Sequence, residues 1–158
     1  MNSGFQDAIQ IRQLHKNEEI PWPLLLLADP SKEMVDDYLR NAEIFIAIHD
    51  TNILGAYTLY PITTDLLEIK NIAVDEKYQR MGLGKLLLDH ASATAKSKSY
   101  KQICIGTANA GIWQIYLYQR QGFDITGLKK NFFIDNYPEP IYENGIQCKH
   151  MIVLTKKL

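Results

Sequence analysis

Cysteine is nearly absent from this chain: there are two in 158 residues, Cys104 and Cys148. They stand far apart and form neither a C-x-x-C pair nor a Cys/His zinc spacing, so no metal site is expected and a reducing compartment fits better than a secreted one. Long apolar runs are missing as well. The longest, Leu24 to Ala28, is far short of a bilayer span, and the first residues lack the basic, apolar and small-residue regions of a signal peptide. A cytoplasmic protein with no membrane partner is therefore expected. Nor does one sign of charge dominate: 17 basic and 18 acidic residues leave a net charge of -1, without the strongly basic footprint of a nucleic-acid binder. No linker, repeat or change of composition interrupts the sequence, and its length suffices for one core, so residues 1–158 read as a single domain.

What the chain does have is apolar residues, 46% of the total, in two rhythms. Residues 7–14, "DAIQIRQL", alternate weakly and predict a first strand. "IPWPLLLLADPSKEMVDDYLRNA" predicts one or two short helices punctuated by Pro21, Pro23 and Pro30, with Asp29 or Ser31 as a cap. "EIFIAIHDTNILGAYTLYPI" reads as a hairpin turning at "HDTN", and "LLEIKNIAV", apolar on both faces, as a strand at the sheet centre. From Gly82 to about Ser97, Leu83, Leu86, Leu87, Ala91 and Ala95 recur at helical spacing. "KQICIGT" is strand-like and "AGIWQIYLYQRQ" helical, with Gly122 placed for a left-handed helix end. The strands "FDITGLKKNFF" and "IQCKHMIVLTKKL" flank a loop, "IDNYPEPIYENG". The result is an α+β fold: a mixed sheet whose later half contains a β-α-β-α-β run.

The chemistry concentrates where the strand ending at Val74 leads through a polar turn to Gly82 and Gly84 and then a helix. First-turn amides of a helix lack internal acceptors, the macrodipole adds partial positive charge, and glycines let an anion approach the backbone. Arg80 and Lys85 add charge, so a pyrophosphate is the expected guest. A P-loop is excluded, because Gln79 stands five before Gly84 and Leu86 follows Lys85. A dinucleotide fingerprint is excluded too, because its third glycine would fall at Leu87.

The remaining pattern, "QRMGLG", resembles the [RQ]-x-x-G-x-[GA] signature of the GCN5-related N-acetyltransferases, the GNAT family. "LEIKNIAVDEKYQ" looks like that family's central strand and its approach to the loop. "IYLYQRQGF" looks like its [LF]-Y-x-x-x-G-F segment. The resemblance is specific over about 66–133 and implies a GNAT-like acyl-CoA N-acyltransferase fold, with a mixed, mostly antiparallel sheet flanked by helices. It implies acetyl-CoA as co-substrate, held by Gln79, Arg80, Met81, Gly82, Leu83, Gly84 and Lys85. The backbone at Ile72, Ala73 and Val74 would serve the thioester and pantetheine, beside a bulge near Asn71. The acetyl group would pass directly to a primary amine of a small molecule or peptide. A non-catalytic acyl-CoA-binding module is the alternative.

In that match Tyr118 is the acid that protonates the departing thiolate, unless its ring merely packs in the core, and Tyr116 is a weaker rival. Glu68 is the first candidate for the base that takes the amine proton, with Glu143, Asp135 and Glu139 as alternatives. Asn109 is a candidate to bond the pantetheine amide or to cap the following helix, although it stands about two residues farther from Tyr118 than the family pattern has it. The acceptor pocket would lie between roughly 21–38 and 135–145, and the family commonly forms homodimers. The four histidines show no ligand spacing, His90 reads as structural, and Cys104 as a small core residue.

Overall fold

The computed structural model describes residues 3–158, in which helices and strands are interspersed. A short helix α1 (Ser3–Asp7) precedes strand β1 (Gln10–Gln13), then come helices α2 (Trp22–Ala28) and α3 (Lys32–Leu39). Strands β2 (Glu43–His49), β3 (Asn52–Pro61) and β4 (Leu66–Val74) follow, then helix α4 (Leu83–Ser97), strand β5 (Gln102–Ala108) and helix α5 (Ile112–Arg120). The chain ends with β6 (Asp124–Lys129), α6 (Phe132–Asn136), a small hairpin of β7 (Tyr142–Glu143) and β8 (Ile146–Gln147), and β9 (Met151–Lys157).

Seven strands form one sheet in the order β1-β2-β3-β4-β5-β9-β6, with β4 in the middle. This is the position its two apolar faces require. All neighbours pair antiparallel except β4 and β5. On one face, Leu87, Leu88, Ala91 and Ala95 of α4 meet Tyr57 and Leu59 of β3 and Leu67 and Ile69 of β4. On the other, Leu24 and Leu25 of α2 and Val35 of α3 cover Ile46, Ala56 and Ala73. Ser31 caps α3 by accepting from the Met34 amide. No helix among the described residues is long and apolar enough to cross a membrane.

Three expectations change in detail. The first strand is shorter than 7–14, because Ala8 and Ile9 are drawn into turn bonds with Phe5 and Gln6 and ladder pairing begins only at Gln10. The later strands do not run as a consecutive β-α-β-α-β series in space. Strand β9 inserts between β5 and β6, so only the β4–β5 step is parallel. The late loop contains a helix and a hairpin; "ENGI" turns through Asn144 (φ 53) and Gly145 (φ 73), the left-handed pair that a tight hairpin favours.

Gly122 takes φ 91 just beyond α5, and the Phe123 amide donates back to the Tyr118 carbonyl at 3.0 Å. His90 is half-buried against the core: its Nδ1 lies 2.7 Å from the Tyr57 hydroxyl and its ring packs beside Phe45. Cys104 is buried, and burial pushes its thiol up to about 11, away from nucleophilic use.

Candidate active site

Strands β4 and β5 pair only from Leu66↔Gln102 to Ile69↔Ile105. Beyond that rung β4 stays with β3 as far as Gly55↔Val74, while β5 stays with β9 as far as Ala108↔Met151. The sheet therefore opens into a cleft of about 1000 Å³, walled by the last residues of both strands.

A bulge sits at the start of the opening. Thr58 pairs with Asn71 and Leu59 with Ile69, so Lys70 is the extra residue. Sequence reading placed the bulge near Asn71, one residue away. Past the bulge, the Asp75 amide donates to Leu54 of β3, whereas the Val74 carbonyl accepts from Gln79 Nε2 at 3.1 Å on the other side. Backbone polar groups alternate along a strand, so the amides of Ile72 and Val74 point away from β3 toward the cleft, and that of Ala73 points into the ladder.

At one end of the cleft lies the glycine loop. Asp75 caps a single 3-10 turn (Glu76–Tyr78) by accepting from the Lys77 amide, after which Arg80 and Gly82 adopt left-handed φ values of 63 and 82. The first bond of α4 runs from the Leu86 amide to the Gly82 carbonyl, which leaves the amides of Leu83, Gly84 and Lys85 without helical acceptors. A Cβ at Gly84 would stand 3.3 Å from Leu117 Cδ2, so a side chain there would crowd α5. Gln79, Arg80, Gly82, Leu83, Gly84 and Lys85 all line the cleft. Met81 does not; its carbonyl accepts from Gln6 Nε2 at 2.8 Å. Lys85 is paired with Asp89 at 2.7 Å on an exposed helix face. Amides, glycines and two cations make this end suited to a pyrophosphate.

Tyr118 is the one buried residue of α5, 5% exposed, and it lines the cleft. Its ring packs against Phe123 at 6.3 Å, and no described protein group hydrogen-bonds its hydroxyl. Burial, reinforced by the nearby Glu143 carboxylate, raises the phenol above its ordinary value, so it stays protonated near neutrality. Tyr116, 60% exposed, points elsewhere.

Glu68 and Asn109, like Met81, lie off the cleft. Glu68 is buried and paired with Lys70 at 3.1 Å; Lys70 reaches the wall of the cleft and Glu68 does not. Asn109 is committed to the β8–β9 connection. Its Oδ1 accepts from the amides of Lys149 (2.7 Å) and His150 (2.9 Å), and its Nδ2 donates to the Gln147 carbonyl. Asn109 does not cap α5 either: the N-cap of that helix is Gly111, and no side chain caps it. A Cβ at Gly111 would stand 2.6 Å from Thr107 Oγ1, so a side chain there would crowd the close turn from β5 into α5.

The other end of the cleft holds residues that periodicity did not single out: Leu27 and Ala28 at the end of α2, Asp29 just beyond it, Phe133, Tyr137 and Glu143. The Tyr137 hydroxyl donates to Asp29 Oδ1 at 2.8 Å across 108 positions of sequence, and the Tyr137 ring stacks on Phe133 at 5.6 Å. Only the tertiary approach of the segment after α2 and the late loop pairs these side chains.

A splayed parallel pair, a bulged central strand and a glycine-rich helix start with free amides match an acyl-CoA N-acyltransferase fold. Comparison with known proteins agrees. Residues 40–125 match the acetyltransferase (GNAT) domain. A GNAT family acetyltransferase from Elizabethkingia anophelis, solved with acetyl-CoA bound, is 52% identical and superposes with a TM-score of 0.95 over 96% of this chain and 99% of that one. A Bacillus subtilis acetyltransferase solved in complex with CoA is 41% identical, with a TM-score of 0.90 over 95% and 99% of the two chains. The uncharacterized N-acetyltransferase YvbK of Bacillus subtilis (strain 168) is 44% identical over 138 residues, 87% of this chain and 88% of that protein. The chain belongs to the GNAT family and is an acyltransferase of the N-acetyltransferase type. A purely non-catalytic module is thereby set aside.

Proposed function

We propose that the protein transfers the acetyl group of acetyl-CoA to a primary amine by direct attack within the β4–β5 opening. The observation that carries this reading is Tyr118, a buried residue whose hydroxyl has no described protein partner and which lines the same cleft as the turned-out amides of β4 and the glycine loop. The E. anophelis protein, solved with acetyl-CoA bound, supports the choice of donor.

The glycine loop holds the pyrophosphate through the amides of Leu83, Gly84 and Lys85, with Arg80 adding charge. The pantetheine arm runs along the open edge of β4. As the amine attacks, charge develops on the acyl oxygen, where the Ile72 or Val74 amide donates; one such donor is worth ~3 kcal/mol. The departing thiolate resembles a thiol of pKa ~8.5, and Tyr118, whose phenol holds its proton more tightly, protonates it as the C–S bond breaks.

The attacking amine must be neutral, which costs roughly 4.6 kcal/mol at pH 7 for a lysine-like group of pKa ~10.4. Glu143 is our candidate to take that proton. It lines the cleft, and its charge is felt at Tyr118, whereas Glu68 is neutralised by Lys70 away from the wall. Calorimetric titration with acetyl-CoA, CoA and ATP, followed by thiol release across an amine panel, tests the whole reading. Binding of CoA but not ATP, with amine-dependent thiol release, is expected. ATP binding without CoA binding contradicts it.

A further inference from the structure

The acceptor end of the cleft differs sharply in charge from the coenzyme end. Arg80 and Lys85 stand at the glycine loop, whereas the lining drawn from the end of α2 and from the late loop presents oxygen acceptors. Asp29 has no cationic partner among the described residues. Both of its protein hydrogen bonds, from the Tyr137 hydroxyl (2.8 Å) and the Ser31 amide (3.1 Å), go to Oδ1, leaving Oδ2 free. Asn71, 3% exposed, is a wall residue of the same cleft. Its Nδ2 is used by the Leu25 carbonyl and the Tyr38 hydroxyl, and its Oδ1 is buried without a partner. An acceptor buried without a donor is costly, so this atom is an unmet demand in the wall beside Asp29 and Tyr38. The one cation on these walls outside the glycine loop, Lys70, is already paired with Glu68 at 3.1 Å.

Aromatic surface completes the picture. Phe133 and Tyr137 stack at 5.6 Å with their planes 23° apart, and Tyr137 is pinned by its bond to Asp29. Ring faces beside a carboxylate attract an ammonium group and give nothing to an anion.

Resting on the acetyl-transfer reading above, we infer that this end is a subsite for a second ammonium group of the acceptor, held by Asp29 between the Tyr137–Phe133 wall and Asn71. The acceptor is thus an alkyl chain with two amines. One loses its proton beside Glu143 and receives the acetyl group; the other stays charged at Asp29. A neutral or acidic tail in its place leaves the Asp29 carboxylate without a cation.

Steady-state kinetics at saturating acetyl-CoA test this with four chains of matched length: diaminobutane, aminobutanol, butylamine and aminobutanoate. The expected kcat/KM for diaminobutane exceeds that for aminobutanol and butylamine by about tenfold or more, the worth of one charge-assisted hydrogen bond, and aminobutanoate is poorest. Asp29→Asn brings the diaminobutane-to-aminobutanol ratio toward one, and Asp29→Glu, which keeps the charge, restores part of it. Acetyl-CoA binding by calorimetry checks that each variant is folded, and the wild-type panel decides the matter if one is not. A peptide with N-terminal lysine presents the same two ammonium groups, and its kcat/KM against diaminobutane's tells a peptide source from a small-molecule one. Equal kcat/KM for diaminobutane and aminobutanol overturns the subsite while leaving acetyl transfer intact. Absence of thiol release with every amine overturns both.

Discussion

Ile69 and Ile105 form the last parallel pair between β4 and β5, and the groups proposed for the chemistry lie beyond that rung. One residue after Ile69 comes the bulge at Lys70; one residue after Ile105 comes Gly106, where a Cβ would stand 2.5 Å from Met151 Sδ. The bulge on β4 thus falls where the two strands part, and Met151 packs against Gly106 in the wall of the opening.

Gly82 should be intolerant of a side chain. At φ 82 an alanine costs on the order of 1 kcal/mol of conformational strain, and it tilts the free amides of the α4 start. Gly82→Ala is expected to lower the melting temperature modestly and to weaken CoA binding several-fold by calorimetry. Unaltered CoA affinity would remove the loop from the coenzyme site.

Asn109 is expected to behave as a structural residue. Asn109→Ala leaves the amides of Lys149 and His150 without their shared acceptor, a loss of roughly 1–3 kcal/mol in denaturant unfolding. The KM for acetyl-CoA, measured at a temperature where the variant is folded, should change little. A large rise in KM with unchanged stability would return Asn109 to the pantetheine.

The two candidate bases separate by readout. Glu143→Gln should lower kcat by about a hundredfold and move the acidic limb of the pH–rate profile. Glu68→Gln breaks the pair with Lys70 and should appear in stability rather than in that limb. The opposite pattern assigns the base to Glu68.

His90 makes stability depend on pH. Burial holds its imidazole below the ordinary 6.5, so the unfolded chain takes up a proton first as pH falls. Its contribution is complete above about pH 6.5 and is lost as pH drops toward the lower folded value. Melting temperatures between about pH 7 and pH 5 should fall more steeply for the wild type than for a His90→Gln variant.

Much of this was legible in the sequence because it is local. "QRMGLG" carries its own backbone chemistry, "LLEIKNIAV" announces a strand buried on both faces, and Gly122 marks the end of α5. The partners of Asn109 and Glu68 were not legible for a shared reason: a polar side chain's partner is set by tertiary contacts, here the β8–β9 connection and the bulged Lys70. The Asp29–Tyr137 bond was out of reach for the same reason, since it joins residues 108 apart. The insertion of β9 between β5 and β6 is likewise a long-range choice that no local pattern encodes.

The most direct test of the account is Tyr118→Phe, which keeps the buried ring and removes only the hydroxyl. Acetyl-CoA affinity by calorimetry should be retained within about twofold, while kcat at saturating acetyl-CoA and amine falls by about a hundredfold or more. A variant that turns over at the wild-type rate would contradict the assignment of Tyr118 as the acid that releases the thiol.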